Sequence, residues 1–452
     1  MRRFLVVAAV TLLVGGLQAT VASAQDPPYE ADDIVVNAFS ARSSPATQSD
    51  FAFKGGLMIA GNYNGFRIFD ISRPKHPRLI KDVFCRGQQG DPSIWGDALV
   101  ISVDEVLTSS ECGAVPAVPA TLETGWEGLR VFSLKEILST PADADGFTRL
   151  QPTTAIYIKC GSHTHTGVPT GKNKPVAIYV ASYPLRSGPD CGPRDDPSDT
   201  HNPLHEILSI ASVDPKKPER SGGVKEVPID IPTFNEDPVF LPPPAFNPMR
   251  GCHDIEVDLS LMQAAAACSS VGQVWDISDP WSPDTLNPEW ETDQPQVQFY
   301  HSALFSRDEQ TVIFGDEIIV GHCFDGTGSG QLWYHDRTTG ALRSSFNIPR
   351  DQGGAYCSAH MFNNVPTDKK DLMVSAWYGG GLTVIDFTDV EDPEEIAYFD
   401  STDNGSIWSA YWYKDNIYAS DIPFGTWFLD MKENFVKKER TGGAEFNPQT
   451  QE

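Results

Sequence analysis

Short apolar runs alternate with turn residues through most of the chain, and no helical periodicity is sustained between them. Runs such as Leu57-Met58-Ile59-Ala60, Ala98-Leu99-Val100-Ile101, Val176-Ala177-Ile178-Tyr179-Val180 and Thr311-Val312-Ile313-Phe314 read as strands buried on both faces. Each is followed by a second motif that begins with glycine. It is clearest in Gly65-Phe66-Arg67-Ile68-Phe69-Asp70-Ile71-Ser72, Gly272-Gln273-Val274-Trp275-Asp276-Ile277-Ser278 and Gly381-Leu382-Thr383-Val384-Ile385-Asp386-Phe387-Thr388, each with prolines just beyond.

Weaker copies start at Gly128, Gly330 and Gly425, and Glu206-Ile207-Leu208-Ser209-Ile210 fills the remaining gap, which makes seven units. Four short strands per unit, repeated in this way, predict an all-β fold: a seven-bladed β-propeller. The last unit lacks an outer strand after Asp430, while Ile34-Val35-Val36-Asn37-Ala38-Phe39 is a strand without a unit. The N-terminal strand is therefore expected to complete the last blade and close the ring, which leaves no open sheet edge. The reading gives one propeller over 25–436 and a polar tail over 437–452, with surface excursions near 186–203 and 234–248.

The repeats resemble the LVIVD-repeat family of exported bacterial propellers, most closely in Leu382-Thr383-Val384-Ile385-Asp386. That resemblance covers nearly all of the chain after the leader and implies the fold and an extracytoplasmic location. It implies no activity.

The N-terminus points the same way. Arg2 and Arg3 precede an apolar run over 4–17, and Ala22-Ser23-Ala24 supplies a small-x-small cleavage site, so 1–24 reads as a signal peptide. An uncleaved N-terminal anchor is the competing reading. The chain has eight cysteines and no CxxC pair, which in an exported protein reads as disulfides. Pairing of neighbours is the simplest expectation: 85 with 112, 160 with 191, 252 with 268 and 323 with 357. The net charge of −27 argues against nucleic acid or anionic membrane as partner. A small molecule or an extracellular polymer is the expected partner of a secreted or periplasmic protein.

Candidate chemistry comes from the innermost strand of each unit. Thr164-His165-Thr166, Cys252-His253-Asp254, Tyr300-His301-Ser302 and Ala359-His360-Met361 place a histidine at the start of that strand in four consecutive units. Pseudo-symmetry puts His165, His253, His301 and His360 at one height around the axis. Imidazole is the usual ligand for copper, iron and zinc, so a transition metal is the expected cofactor. Structural hydrogen bonding between blades is the alternative use of a recurring histidine.

Asp316 and Glu317 end the second strand of the fifth unit, at the height of His301, and are the candidates for handling protons. Asp254 is expected to point away from the channel by strand alternation. His163, two residues from His165 and on the same strand face, is a candidate fifth ligand or substrate contact, and Trp408 a candidate wall for a ligand. Together these features predict a metal-dependent enzyme, with oxidoreductase or oxygenase chemistry favoured and lyase or hydrolase chemistry as variants. A non-catalytic binding or adhesion propeller is the reading from another class.

Overall fold

The computed structural model describes residues 26–118, 124–182, 189, 191, 205–232, 251–317, 330–350, 356–367, 369–402, 404–432 and 448. The proposed signal peptide lies outside them, as do the polar tail except Pro448 and most of the two surface excursions.

Seven antiparallel sheets follow one another along the chain and form a seven-bladed β-propeller. The first blade shows the plan. Gln48–Lys54 lines the channel, Leu57–Asn62 and Gly65–Asp70 follow outward, and Arg78–Phe84 forms the rim. The middle strands are buried from end to end, as in Val176–Ala181, whereas a rim strand such as Val224–Pro228 buries a single side chain. That gradient explains why inner strands read as unbroken apolar runs and rim strands as polar ones.

The repeat motif has a local cause at both of its ends. At its start, the backbone of the rim strand comes so close that a Cβ on Gly65 would lie 2.0 Å from the Val83 carbonyl, and φ is +146°. Gly425 repeats this at φ +144° against Ser40, so only glycine fits. At its end, the Asp70 carboxylate accepts from Ser72 N, Asp276 from Ser278 N and Asp386 from Thr388 N, which turns the chain toward the rim.

The ring closes as expected. Ile34–Ala41 pairs antiparallel with Gly425–Met431 and is the rim strand of the seventh blade. A feature not foreseen is Glu30–Asp32, which adds a fifth strand to the sixth blade beside Glu394–Asp400. Arg67 of the first blade ties the closure together. Fully buried, it donates to the Ala41 carbonyl (2.8 Å), Gln48 Oε1 (3.0 Å) and Thr426 Oγ1 (3.0 Å).

Disulfides join Cys85 to Cys112, Cys160 to Cys191 and Cys252 to Cys268, the three neighbour pairings within the described residues. Cys357 is also disulfide-bonded, and Cys323 lies outside the described residues. No helix among the described residues is long and apolar enough to cross a membrane.

Candidate metal centre at the channel mouth

The hydrogen-bond register, not the spacing of histidines, decides which of them are equivalent. His163 N donates to the Ala181 carbonyl (3.1 Å), His253 N to Ala267 (2.8 Å) and His360 N to Ala376 (3.0 Å). In each blade the acceptor is an alanine at or next to the end of the second strand. His301 reaches the same place through a bulge, because Tyr300 pairs with Asp316 and Ser302 with Gly315. Trp408 sits in a matching bulge between Ile407 and Ser409. A bulge re-aims the extra side chain, which brings both residues into line with the others.

The row is therefore His163, His253, His301, His360 and Trp408, from five consecutive blades. Successive ring centroids lie 4.5, 3.8, 4.3 and 4.7 Å apart. His165, expected in this row, belongs elsewhere. Two residues further along its strand, it is buried with Nε2 2.6 Å from Ser93 Oγ and Nδ1 2.8 Å from Ser102 Oγ, beside Asp91. The motif Ser162-His163-Thr164-His165 offers two histidines on one strand face. Only the pairing with the next strand shows which of them occupies the shared position.

The surroundings fix the ring protons. His253 Nδ1 donates to the His301 carbonyl (3.0 Å), and His360 Nδ1 donates to the Trp408 carbonyl. His163 Nδ1 lies 2.7 Å from Asp104 Oδ2. A proton held on Nδ1 makes Nε2 the lone-pair nitrogen, the arrangement usual in metal-ligating histidines. Burial pushes the pKa of His253 and His301 well below the ordinary imidazole value, with neighbouring imidazoles adding to the effect. Burial likewise takes His360 down to about 3. These three rings are neutral at physiological pH.

His301, in the middle of the row, is the odd member. It is 1 % exposed, and among the described residues neither ring nitrogen has a hydrogen-bond partner. Glu317 stands beside it, with Oε2 3.5 Å from His301 Nε2. His253, His301 and Glu317 each offer one ligand atom, and these atoms lie within 4.8 Å of one another. Two imidazoles and a carboxylate form a donor set that suits iron, zinc or copper.

Glu317 is held in turn by tyrosines. Tyr378 O–H donates to Glu317 Oε1 at 2.6 Å, and Tyr356 also hydrogen-bonds to this carboxylate. Burial raises the Glu317 pKa above the ordinary glutamate value despite those bonds. Tyr378 packs 4.4 Å from the His360 ring, and Tyr63 edges onto Trp408 at 6.3 Å. Tyr356 and Tyr63 carried no recognisable signal in the sequence, because aromatic residues are equally common in blade packing.

Asp316 and Glu317 have separate fates. The Asp316 carboxylate accepts backbone N–H bonds from Gln298, Phe299 and Gly330, all at 2.8–2.9 Å, and so pins segments of the chain. Only Glu317 faces the row. Asp254 departs from expectation too. The sequence had it pointing away from the channel, but it lines a cavity within the channel, because His253 precedes the strand and Asp254 opens it. Trp408 walls the row beside His360.

No family model and no curated protein matches this chain. Among solved structures, it is similar to the β-propeller domain of Cps50 (Swd1) from Myceliophteria thermophila. The identity is 9 %, the TM-score 0.50, and the match covers 90 % of this chain and all of that one. The computationally designed Ika8 protein matches at 11 % identity and a TM-score of 0.45, over 86 % of this chain and 97 % of that one. At these identities the similarity to the Cps50 domain shows the propeller fold alone.

Proposed function

We propose that this protein is an exported, metal-dependent enzyme of the oxidoreductase type, with a transition metal at the channel mouth. The observation that carries this reading is His301: a fully buried imidazole with neither nitrogen hydrogen-bonded among the described residues, between two neutral imidazoles and beside the Glu317 carboxylate. An unpaired buried polar group is costly. A metal ion would remove that cost and use the lone pairs that the neighbouring carbonyls leave on Nε2 of His253 and His360.

His253, His301 and Glu317 would hold the ion, with His360 and His163 as the adjoining donors. Iron or copper would supply one-electron chemistry there, and zinc would supply Lewis-acid chemistry. The chain's own groups handle protons and shape. Tyr378 and Tyr356 keep Glu317 oriented, and the Tyr378 hydroxyl holds a proton at Glu317 Oε1. Trp408, Tyr378 and Tyr63 form an apolar wall against which a small substrate would lie. Export is supported by the leader-like N-terminus, by the LVIVD-like repeats and by disulfides, which persist in oxidising compartments.

The test is elemental analysis of protein purified from its native compartment, repeated on His253→Ala and His301→Ala. Near-stoichiometric iron, copper or zinc that both variants lose supports the reading. Folded wild-type protein without a transition metal, and without a rise in melting temperature on adding one, defeats it.

A further inference from the structure

Below the histidine row, the innermost strands enclose a cavity of about 50 Å³. That volume exceeds the space a single water needs. Its wall includes four acidic residues from three blades: Asp50, Asp91, Asp254 and Glu256. Asp254 and Glu256 alternate on one strand and so share a face. No lysine or arginine is among the described residues of the wall.

Asp91 accepts from the His165 backbone N–H (2.8 Å), and His165 Nδ1 lies 3.1 Å from the same carboxylate. Asp50 accepts from Phe51 N and is bonded to the Tyr411 hydroxyl, and Asp254 accepts from the Thr164 hydroxyl at 3.4 Å. Those neutral donors do not cancel charge. Glu256 is the least satisfied of the four: among the described residues its buried Oε1 has no hydrogen-bond partner. Burying several carboxylates around one small space is strongly unfavourable unless a positive charge is present.

We infer that this cavity is a second cation site, distinct from the histidine row, which binds a hydrated divalent cation of the calcium type between Asp50, Asp254 and Glu256. The ligand class follows from the donors. They are all oxygen, which suits hard cations, whereas the imidazole row above suits transition metals. The cation keeps part of its water shell, because the only described group of three ligand atoms within 4.8 Å is the one at Glu317. Bound there, it would cross-link the first and fourth blades across the channel, beneath the histidines. The inference does not depend on a transition metal in the row above.

The experiment is calcium uptake by full-length protein stripped with EDTA, measured by equilibrium dialysis and by melting temperature. Wild-type protein is expected to bind one Ca²⁺ and to melt higher with it. The double variant Asp50→Asn/Glu256→Gln is expected to bind at least about tenfold more weakly, a change of one 1.4 kcal/mol step. His301→Ala is expected to keep the calcium response, which separates this site from the row above. If the double variant does not fold, Glu256→Gln alone is read in the same way. Absence of saturable uptake by wild-type protein up to about 10 mM, above the range of weak extracellular calcium modules, overturns the inference. So does uptake that the carboxylate variants retain or that His301→Ala abolishes.

Discussion

His253 donates its Nδ1 proton to the backbone carbonyl of His301, 3.0 Å away, while the two rings lie 3.8 Å apart. The backbone of one residue thus fixes the tautomer of its neighbour, and its side chain stands beside the nitrogen so exposed. The carbonyl is unaffected by a change of side chain, so the two roles of His301 can be separated.

His301→Leu is expected to be neutral or stabilising in metal-free protein, because it removes a buried group that has no partner. The same substitution should abolish the rise in melting temperature that iron, copper or zinc gives the wild type. Thermal melts with and without metal read both effects. A variant that melts several degrees lower in the metal-free state would mean that the ring packs for structure alone.

Asp104 is expected to act through His163. Asp104→Asn replaces the carboxylate 2.7 Å from Nδ1 with an amide that can no longer fix the ring proton in the same way. Changes to such supporting partners typically weaken metal binding about 10–100-fold. Competition against a chelator measures this, and an unchanged affinity would remove His163 from the set of donors.

The Asp50 carboxyl gives stability a definite pH dependence. Its pKa is raised from 3.8 to about 8 in the folded protein, chiefly by burial. The folded state therefore holds a proton that the unfolded chain releases above its ordinary value. That contribution is complete below about pH 4 and is lost as pH rises through about 8. Urea unfolding in EDTA at pH 6 and pH 8.5 should show stability falling, and Asp50→Asn should flatten the slope.

Arg67 is expected to be the key to ring closure. Its guanidinium bridges the first blade, the N-terminal closing strand and Thr426 of the seventh. Arg67→Met fills the space but leaves four neutral acceptors without their donor, at a cost of about 1–3 kcal/mol for each acceptor that stays buried and unsatisfied. Chemical denaturation provides the measurement. Proteolysis should cut first near residues 26–41, the strand that loses its tie.

Much of the fold was legible because propeller blades are local. Each four-stranded unit is contiguous in sequence, and its glycine, its terminal aspartate and its apolar runs answer to contacts within the unit or its immediate neighbour. The closing strand could be foreseen as well, since one blade lacked a strand and one strand lacked a blade. Glu30–Asp32 could not, because a three-residue edge strand with one small apolar residue between two acidic ones carries no pattern.

The site was legible only to the level of residue type. The sequence by itself established that consecutive blades present imidazoles to one end of the channel, and that carboxylates accompany them. Tertiary structure decided that His163 and not His165 stands in the row, that Glu317 and not Asp316 faces it, and that Asp254 looks into the channel. The physical reason is register. A shift of two residues along a strand leaves the sequence pattern intact but moves a side chain by a full repeat of the pleat. A bulge such as that at His301 moves it again. Those choices are made by hydrogen bonds between strands that no single strand contains.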